Sequence, residues 1–250
     1  MKVISVTGIH QTGKTTVCEK IIQGLRDRGY TVGSIKEIHF EGFEIDPDPT
    51  TNTRRHRAAG AQLVTARGIY ETDVLYQENL PIAKILSHYD HDYVILEGVD
   101  DALVPGIVTA KDENGLAGKV SQRTIAVSGI IANEGIDEVQ GYPVIHALEE
   151  TERLVDLAEQ MAMEPLPDMD PECCAACGAD CRTLLAEIVR GNRKREDCVL
   201  DQAKIELKVG NKEIIMVPFV QQILKNAVLG VARELDGYEE NTDIHVRIRP

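Results

Sequence analysis

The chain has 250 residues, 43% of them hydrophobic, enough to fill a core in one large domain or two small ones. Its 27 Lys and Arg stand against 41 Asp and Glu, a formal net charge of −14 that repels the phosphates of DNA and RNA and argues against a nucleic-acid partner. No apolar run reaches the about 18 residues that a membrane span needs, and no basic-then-apolar leader is present, so a soluble, cytoplasmic protein with no membrane attachment is expected.

The first predicted strand, "MKVISVT", leads into "GIHQTGKTT", residues 8 to 16, and then into a helical pattern over Thr15 to Arg28. Gly8, Gly13, Lys14 and Thr15 fill the pattern G-x-x-x-x-G-K-[ST] in its proper context, between a strand and a helix. Glycines let the backbone N–H groups wrap an anion, the helix start turns its positive end to the phosphates, and the Lys14 ammonium adds a full charge. Gly8, His10, Gly13, Lys14, Thr15 and Thr16 are therefore candidate nucleotide-binding residues, and Thr15 the candidate Mg²⁺ ligand. A ligand-free Gly-rich turn would have no need of Lys followed by Thr.

The runs "TVGSIK", "DVLYQ", "YVILEG", "GIVTA", "TIAVSGIIA" and "YPVI" are short and rich in Val and Ile, several nearly continuous in the way of strands covered on both faces. Helical patterns lie between them at Thr53 to Ala66, Leu80 to Tyr89 and Glu149 to Ala162. This alternation predicts an α/β fold with a doubly wound, mostly parallel sheet over residues 1–162. The loop at Gly8 would then lie at the carboxyl end of the first strand, where such sheets bind ligands.

In "DPDPTTNTRRHRAAGA", residues 46 to 61, two carboxylates precede a predicted cap at Thr53, and Arg54, Arg55, His56 and Arg57 follow. One reading sets Asp46 or Asp48 near the metal and Arg55 or His56 on phosphate; the other makes this a solvated helix start. Glu97 ends the apolar strand of "YVILEGVDD", where an acid can hold a metal or orient water, or merely cap a turn. Lys14, Asp46 and Glu97 form the candidate catalytic set. Asn133, at the end of "AVSGIIANEG", is placed to read a nucleobase or to serve as a turn residue, and no N-K-x-D signature is present.

"GIHQTGKTT", "RRHRAAGA", "VILEGVDD" and "LVPGIVTA", in this order, resemble the molybdopterin-guanine dinucleotide biosynthesis protein B family, MobB, over about residues 1 to 160. The resemblance implies a P-loop NTPase that binds GTP, hydrolyses it weakly with Mg²⁺, and assists a molybdopterin guanylyltransferase or a molybdoenzyme. It also implies family-specific roles for Arg55, His56 and Glu97. GTP rather than ATP follows from the resemblance alone, and a homodimer stays open. Where the family has a Lys soon after E-G, this chain has Val99, Asp100 and Asp101.

"AMEPLPDMDPE" reads as an extended, Pro-rich connector, assigned to residues 163–172. Beyond it lie Cys173, Cys174, Cys177, Cys181 and Cys198; Cys18 stands alone on the first helix and reads as a small buried residue. In a cytoplasmic chain such clustering points to metal before disulfides. Cys174, Cys177, Cys181 and Cys198, with Cys173 able to replace Cys174, would supply four thiolates to Zn²⁺ or a [4Fe–4S] cluster. The segment is similar to the four-cysteine domain of corrinoid iron–sulfur proteins, which implies the iron–sulfur cluster. A hairpin at Gly210-Asn211, a helix over "FVQQILKNAVLGVARELDG" with Phe219, Val220, Ile223, Leu224, Val228 and Val231 on one apolar face, and a last strand in "TDIHVRIRP" complete a predicted α+β domain over 173–250. Two functions follow: an accessory NTPase of molybdenum or tungsten cofactor maturation, or a nucleotide-dependent iron–sulfur or metallocentre assembly factor. In both, the nucleotide domain is expected to work independently of the cysteine module.

Overall fold

The computed structural model describes residues 1–168, 177–199, 205, 207–210, 212–214, 216–239, 242 and 244–248. The chain runs β1 (Lys2–Gly8), α1 (Lys14–Asp27), β2 (Val32–Lys36), α2 (Asn52–Ala58), β3 (Leu63–Arg67), β4 (Thr72–Tyr76), α3 (Ile82–Leu86) and β5 (Tyr93–Glu97). It continues through β6 (Gly106–Thr109), β7 (Thr124–Ser128), β8 (Glu138–Val139), β9 (Tyr142–Pro143) and α4 (Thr151–Met161). The remaining elements are α5 (Cys181–Val189), β10 (Lys208–Val209), β11 (Lys212–Glu213) and α6 (Pro218–Ala232).

The expected parallel sheet is present, with strand order β2-β5-β1-β6-β7 and every neighbouring pair parallel. Its strands are nearly continuous apolar runs because both faces are covered. On one face Ile4, Val6, Ile95 and Ile107 pack with Val17, Ile21 and Leu25 of α1 and Leu154, Val155 and Ala158 of α4. On the other, Val3, Val94 and Leu96 pack with Leu86 of α3 and with Val99, Ala102 and Val104. Arg28 ties the two helices of the first face together, reaching Glu159 at 2.5 Å, Asp156 at 2.6 Å and Glu152 at 3.0 Å. From β1 the chain crosses to one side of the sheet, to β2, returns through β5 and then passes β1 to β6 and β7 on the other side, so β1 ends at the switch point where open α/β sheets place their ligands.

Three expectations about elements change. The helix predicted over Thr53 to Ala66 ends at Ala58: Gly60 takes φ +102°, and the β-branched "LVTAR" becomes β3. "DVLYQ" does not join the main sheet but pairs antiparallel with β3 as a separate hairpin. Described residues 244–248 do not form the last strand expected there, and no residue of α6 is buried. The hairpin at Gly210 forms as expected, pairing Val209 with Lys212.

The cysteine-bearing helix α5 packs on the α/β body rather than standing apart. Cys181, Leu184, Leu185 and Cys198 share one buried cluster with Leu103, Met163 and Leu166, and Cys177 packs against it. Met163 also meets the sheet through Val3, whose N–H donates to the Met163 carbonyl at 2.8 Å. Cys173, Cys174 and residues 169–172 of the predicted connector lie outside the described residues.

Candidate functional site

The turn from β1 to α1 is fixed by its packing against the ends of β6 and β7. Gly8 has φ +148°, and a Cβ there would stand 2.3 Å from the Thr109 carbonyl oxygen. Gly13 caps α1 in the left-handed conformation at φ +98°, with Gly129 so close that its Cα would lie 3.2 Å from an added Cβ. Gly129 itself has φ +91° and would bring a Cβ within 2.1 Å of the Thr12 carbonyl oxygen. Beneath the loop, the fully buried Thr12 hydroxyl donates to Ile9 O at 2.9 Å and lies 2.7 Å from Thr109 Oγ1. Thr109 and Gly129 are parts of the site that lie outside the motif, and Thr12 fills one of its unspecified positions. Thr109 and Gly129 become visible only when the ends of β6 and β7 are set beside the loop.

The loop opens into a cavity of about 1480 Å³ whose wall includes Gly8, His10, Gly13, Lys14, Thr15 and Thr16, all six of the expected P-loop residues. Lys14 Nζ donates to Gly8 O at 3.0 Å and Ile9 O at 2.6 Å. Burial is the main reason the Lys14 pKa is pulled down; Glu97 acts against this, and the neighbouring Lys36 and Lys119 act with it.

Glu97 is brought to the loop as the sequence reading expected. The Thr15 hydroxyl donates to Glu97 Oε1 at 2.8 Å, and Lys36 Nζ reaches the same oxygen at 2.6 Å. A hydroxyl and a carboxylate side by side at the mouth of a phosphate loop are hard oxygen donors of the kind Mg²⁺ takes. Lys36 ends β2 in register with Glu97 on β5, so its place is set by strand pairing and not by any local motif.

Asp46 is placed differently from the metal-side reading. Its carboxylate accepts from the Thr51 hydroxyl at 3.0 Å and the Thr53 hydroxyl at 2.5 Å, and Thr51, rather than Thr53, caps α2. Asp46 thus organises a helix start and does not line the cavity. Arg55 and His56 are exposed on α2 and are not part of the cavity wall either. Asn133 is exposed outside it, its side-chain oxygen 2.8 Å from His146 Nε2. Because His146 Nδ1 accepts from the Glu149 N–H at 3.1 Å, the Nε2 proton is the one that faces Asn133.

The far wall of the cavity comes from other segments: Leu103, Lys119, Gln122, Arg123, and Arg182 and Leu185 of α5. The apolar side chains of Ile38, Phe40 and Phe43 form a third side. Of the cysteines, Cys18 lies on the buried side of α1, and its thiol pKa is pushed up to about 12, chiefly by burial and then by Glu97. Cys177, Cys181 and Cys198 meet in one cluster, though no group of three His, Cys, Asp or Glu among the described residues is arranged to hold a metal ion. No helix among the described residues is long and apolar enough to cross a membrane.

The family of molybdopterin guanine dinucleotide synthesis protein B, MobB, matches residues 3–132. A Methanocaldococcus jannaschii protein, provisionally named a molybdopterin-guanine dinucleotide biosynthesis adapter protein, is 30% identical over 256 residues, covering 99% of this chain and 97% of its own. A Bacillus subtilis protein with the same kind of provisional name is 28% identical over 151 residues, covering 58% of this chain and 85% of its own. The crystal structure of Bacillus subtilis MobB superposes with a TM-score of 0.54 at 25% identity, over 65% of this chain and 99% of that one.

Proposed function

The chain belongs to the molybdopterin guanine dinucleotide synthesis protein B family and has a role in molybdenum cofactor biosynthesis, and from that premise we propose that it is a GTP-binding accessory protein. In this reading Gly8 to Thr16 hold the phosphates, Lys14 neutralises them, and Thr15 and Glu97 hold Mg²⁺, which would draw off charge developing on the terminal phosphate. The observation that carries it is the 2.8 Å contact between Thr15 and Glu97 at the head of the glycine loop. Hydrolysis is slow in the isolated protein, since Arg123 and Arg182, the arginines on the cavity wall among the described residues, come from segments apart from the phosphate loop. The partner is a molybdopterin guanylyltransferase or a molybdoenzyme that receives its product. The alternative of a general metallocentre assembly factor is not favoured, because the likeness to a dinucleotide-biosynthesis adapter runs through 99% of the chain.

The cysteine segment belongs to the same proposal as a four-thiolate site for a [4Fe–4S] cluster, with Zn²⁺ as the other soft acceptor. The reading rests on the spacing of the cysteines; Cys181 and Cys198 share one buried cluster that Cys177 packs against, while the described thiols are not arranged to hold a metal ion. Cys173 or Cys174, the fourth ligand, lies outside the described residues. Anaerobic purification followed by absorbance, iron and zinc analysis tests this part separately: a colourless protein free of both metals ends it.

The nucleotide reading is tested by titration. GTP should bind at least about tenfold more tightly than ATP, a difference of roughly 1.4 kcal/mol. Lys14→Ala should lose GTP binding while its circular dichroism stays that of the wild type, because Lys14 bonds only to carbonyls of its own loop. Equal affinities for GTP and ATP would remove the guanine-specific reading, and unchanged affinity in Lys14→Ala the whole phosphate-loop reading.

A further inference from the structure

The contact between Thr15 and Glu97 fixes which way a nucleotide on the loop would lie. A metal held there bridges the terminal phosphates, so that end of the phosphate chain sits over β5 and the nucleoside points to the other side of the loop. On that side the sheet continues through β6 to β7, whose end stands two strands, about 10 Å, from β1. Among the described residues the cavity wall takes nothing between Arg123 and Arg182. A base extending that way therefore lies outside the cavity, over the two segments joined at the end of β7.

Both segments are anchored. The first, a 3₁₀ turn at Ile130–Glu134, opens with the Ile130 N–H donating to the Thr12 carbonyl of the phosphate loop at 3.2 Å. The second follows β9, where the Ile145 N–H donates to Val127 O at 2.9 Å and the buried Ser128 hydroxyl donates to Ile145 O at 2.6 Å. Across this joint Asn133 Oδ1 lies 2.8 Å from His146 Nε2. His146 is itself held: its Nδ1 accepts from the Glu149 N–H at 3.1 Å, and its own backbone N–H donates to the Glu150 carboxylate at 2.9 Å. With Nδ1 accepting, Nε2 carries the proton, and the amide oxygen of Asn133 must turn toward it. The NH₂ group of Asn133 is thereby the outward end of the amide. Ile130 and Leu148, one on each segment, are 43% and 60% exposed and offer apolar surface to a ring.

We propose that Asn133, oriented by His146, reads the purine edge and selects a 6-keto base. An amide free to turn suits adenine, taking the N6 proton on its oxygen and giving a proton to N7. Held with its oxygen on His146, the same amide presents donors, which match O6 and N7 of guanine and meet the N6 amino group of adenine donor to donor. Asn133 is the residue that touches the base, and His146 is a positioning residue that acts through it. The inference deepens the nucleotide reading by naming what selects the base, and it rests on that reading for the occupant of the loop. Both residues lie beyond the matched family region, which ends at residue 132.

The test measures GTP, ITP and ATP binding to the full-length protein with Mg²⁺ by calorimetry. ITP keeps O6 and N7 and lacks the amino group of guanine. Wild type should bind GTP and ITP within about threefold of each other and ATP about tenfold more weakly, as expected when a donor faces a donor in place of a hydrogen bond. Asn133→Ala should bring GTP down to the level of ATP and leave ATP within about threefold of wild type, because the phosphates hold both nucleotides alike. The retained ATP binding also reports that the variant is folded. His146→Ala, which frees the amide to turn, should lose the preference as well. His146→Gln, whose side-chain NH₂ stands in for the Nε2 proton, should keep it, and a merely structural role for His146 would not change the ratio between two nucleotides. The proposal is overturned if Asn133→Ala or His146→Ala keeps the wild-type preference, or if ITP binds as weakly as ATP. Wild type that binds no nucleotide, or binds GTP and ATP alike, removes the GTP reading and this inference with it, whereas a preference that survives in Asn133→Ala removes this inference alone.

Discussion

Glu97 is the residue on which the chemistry of the loop turns. One carboxylate oxygen receives both the Thr15 hydroxyl and the Lys36 ammonium, so replacing it by an amide keeps the volume and removes the charge. Glu97→Gln should therefore preserve nucleotide binding without metal but lose most of the tightening that Mg²⁺ brings, about tenfold or more. Calorimetric titration with and without Mg²⁺ decides it, and an undiminished metal effect would place the ion elsewhere. Cys18 offers a check on the other side of the loop. With its pKa pushed up to about 12 by burial and by Glu97, it holds almost no thiolate at pH 8. Iodoacetamide at that pH should label the half-buried Cys177 well before Cys18, with Cys18 modified only after unfolding. Mass spectrometry of peptides at timed intervals reads this directly.

At the scale of elements, α1 and α4 lie so close that the contact fixes a glycine. A Cβ on Gly24 would meet Val155 Cγ2 at 2.3 Å and Cγ1 at 3.0 Å. Alanine in a helix interior is favoured over glycine by about 0.5–1 kcal/mol, whereas overpacking of a core costs about 1–3 kcal/mol. Val155 is β-branched and fully buried, so it cannot swing aside, and the second effect wins. Gly24→Ala should thus lower stability by about 1 kcal/mol, and Val155→Ala in the same chain should recover part of the loss. Denaturant unfolding of the single and double variants is the measurement; a Gly24→Ala protein more stable than wild type would show that the helices yield. The Arg28 bridges between these helices carry a pH signature as well. The Tyr30 hydroxyl first, and Arg28 second, hold the Glu159 carboxyl below its ordinary value. That contribution is present above the ordinary carboxylate range and fades as pH falls through the lowered value.

The whole molecule joins what the sequence divides. Leu103 and Leu185 belong both to the cavity wall and to the cluster that buries Cys181 and Cys198, so α5 shares its packing with the cavity at the glycine loop. A cysteine module independent of the sheet would unfold separately; this packing predicts that residues 1–168 and 177–199 unfold together. Cys198→Ser, which puts a hydroxyl into a site 4% exposed, should destabilise the protein by about 1–3 kcal/mol in a single transition. Differential scanning calorimetry that resolves two transitions, only one of them moved, would restore the independent module.

The sequence by itself determined the phosphate loop, its place between β1 and α1, the parallel sheet behind it and the carboxylate at the end of β5. Each of these is written in local order: a glycine spacing, a helical period, a continuous Val and Ile run. Charge alone could not rank the acids, since Asp46 and Glu97 both sit beside plausible chemistry in the chain, yet one accepts from the Thr51 and Thr53 hydroxyls at the start of α2 and the other meets Thr15. Lys36, Thr109 and Gly129 were illegible because strand order and loop packing, not neighbours in the chain, bring them to the loop. The same holds for the far wall: Arg123 and Arg182 come from separate segments and line one cavity because α5 buries its apolar side against Leu103 and Leu166. Local pattern fixes which residues can form a helix or a turn; only the burial of those elements against one another decides which side chains share a cavity.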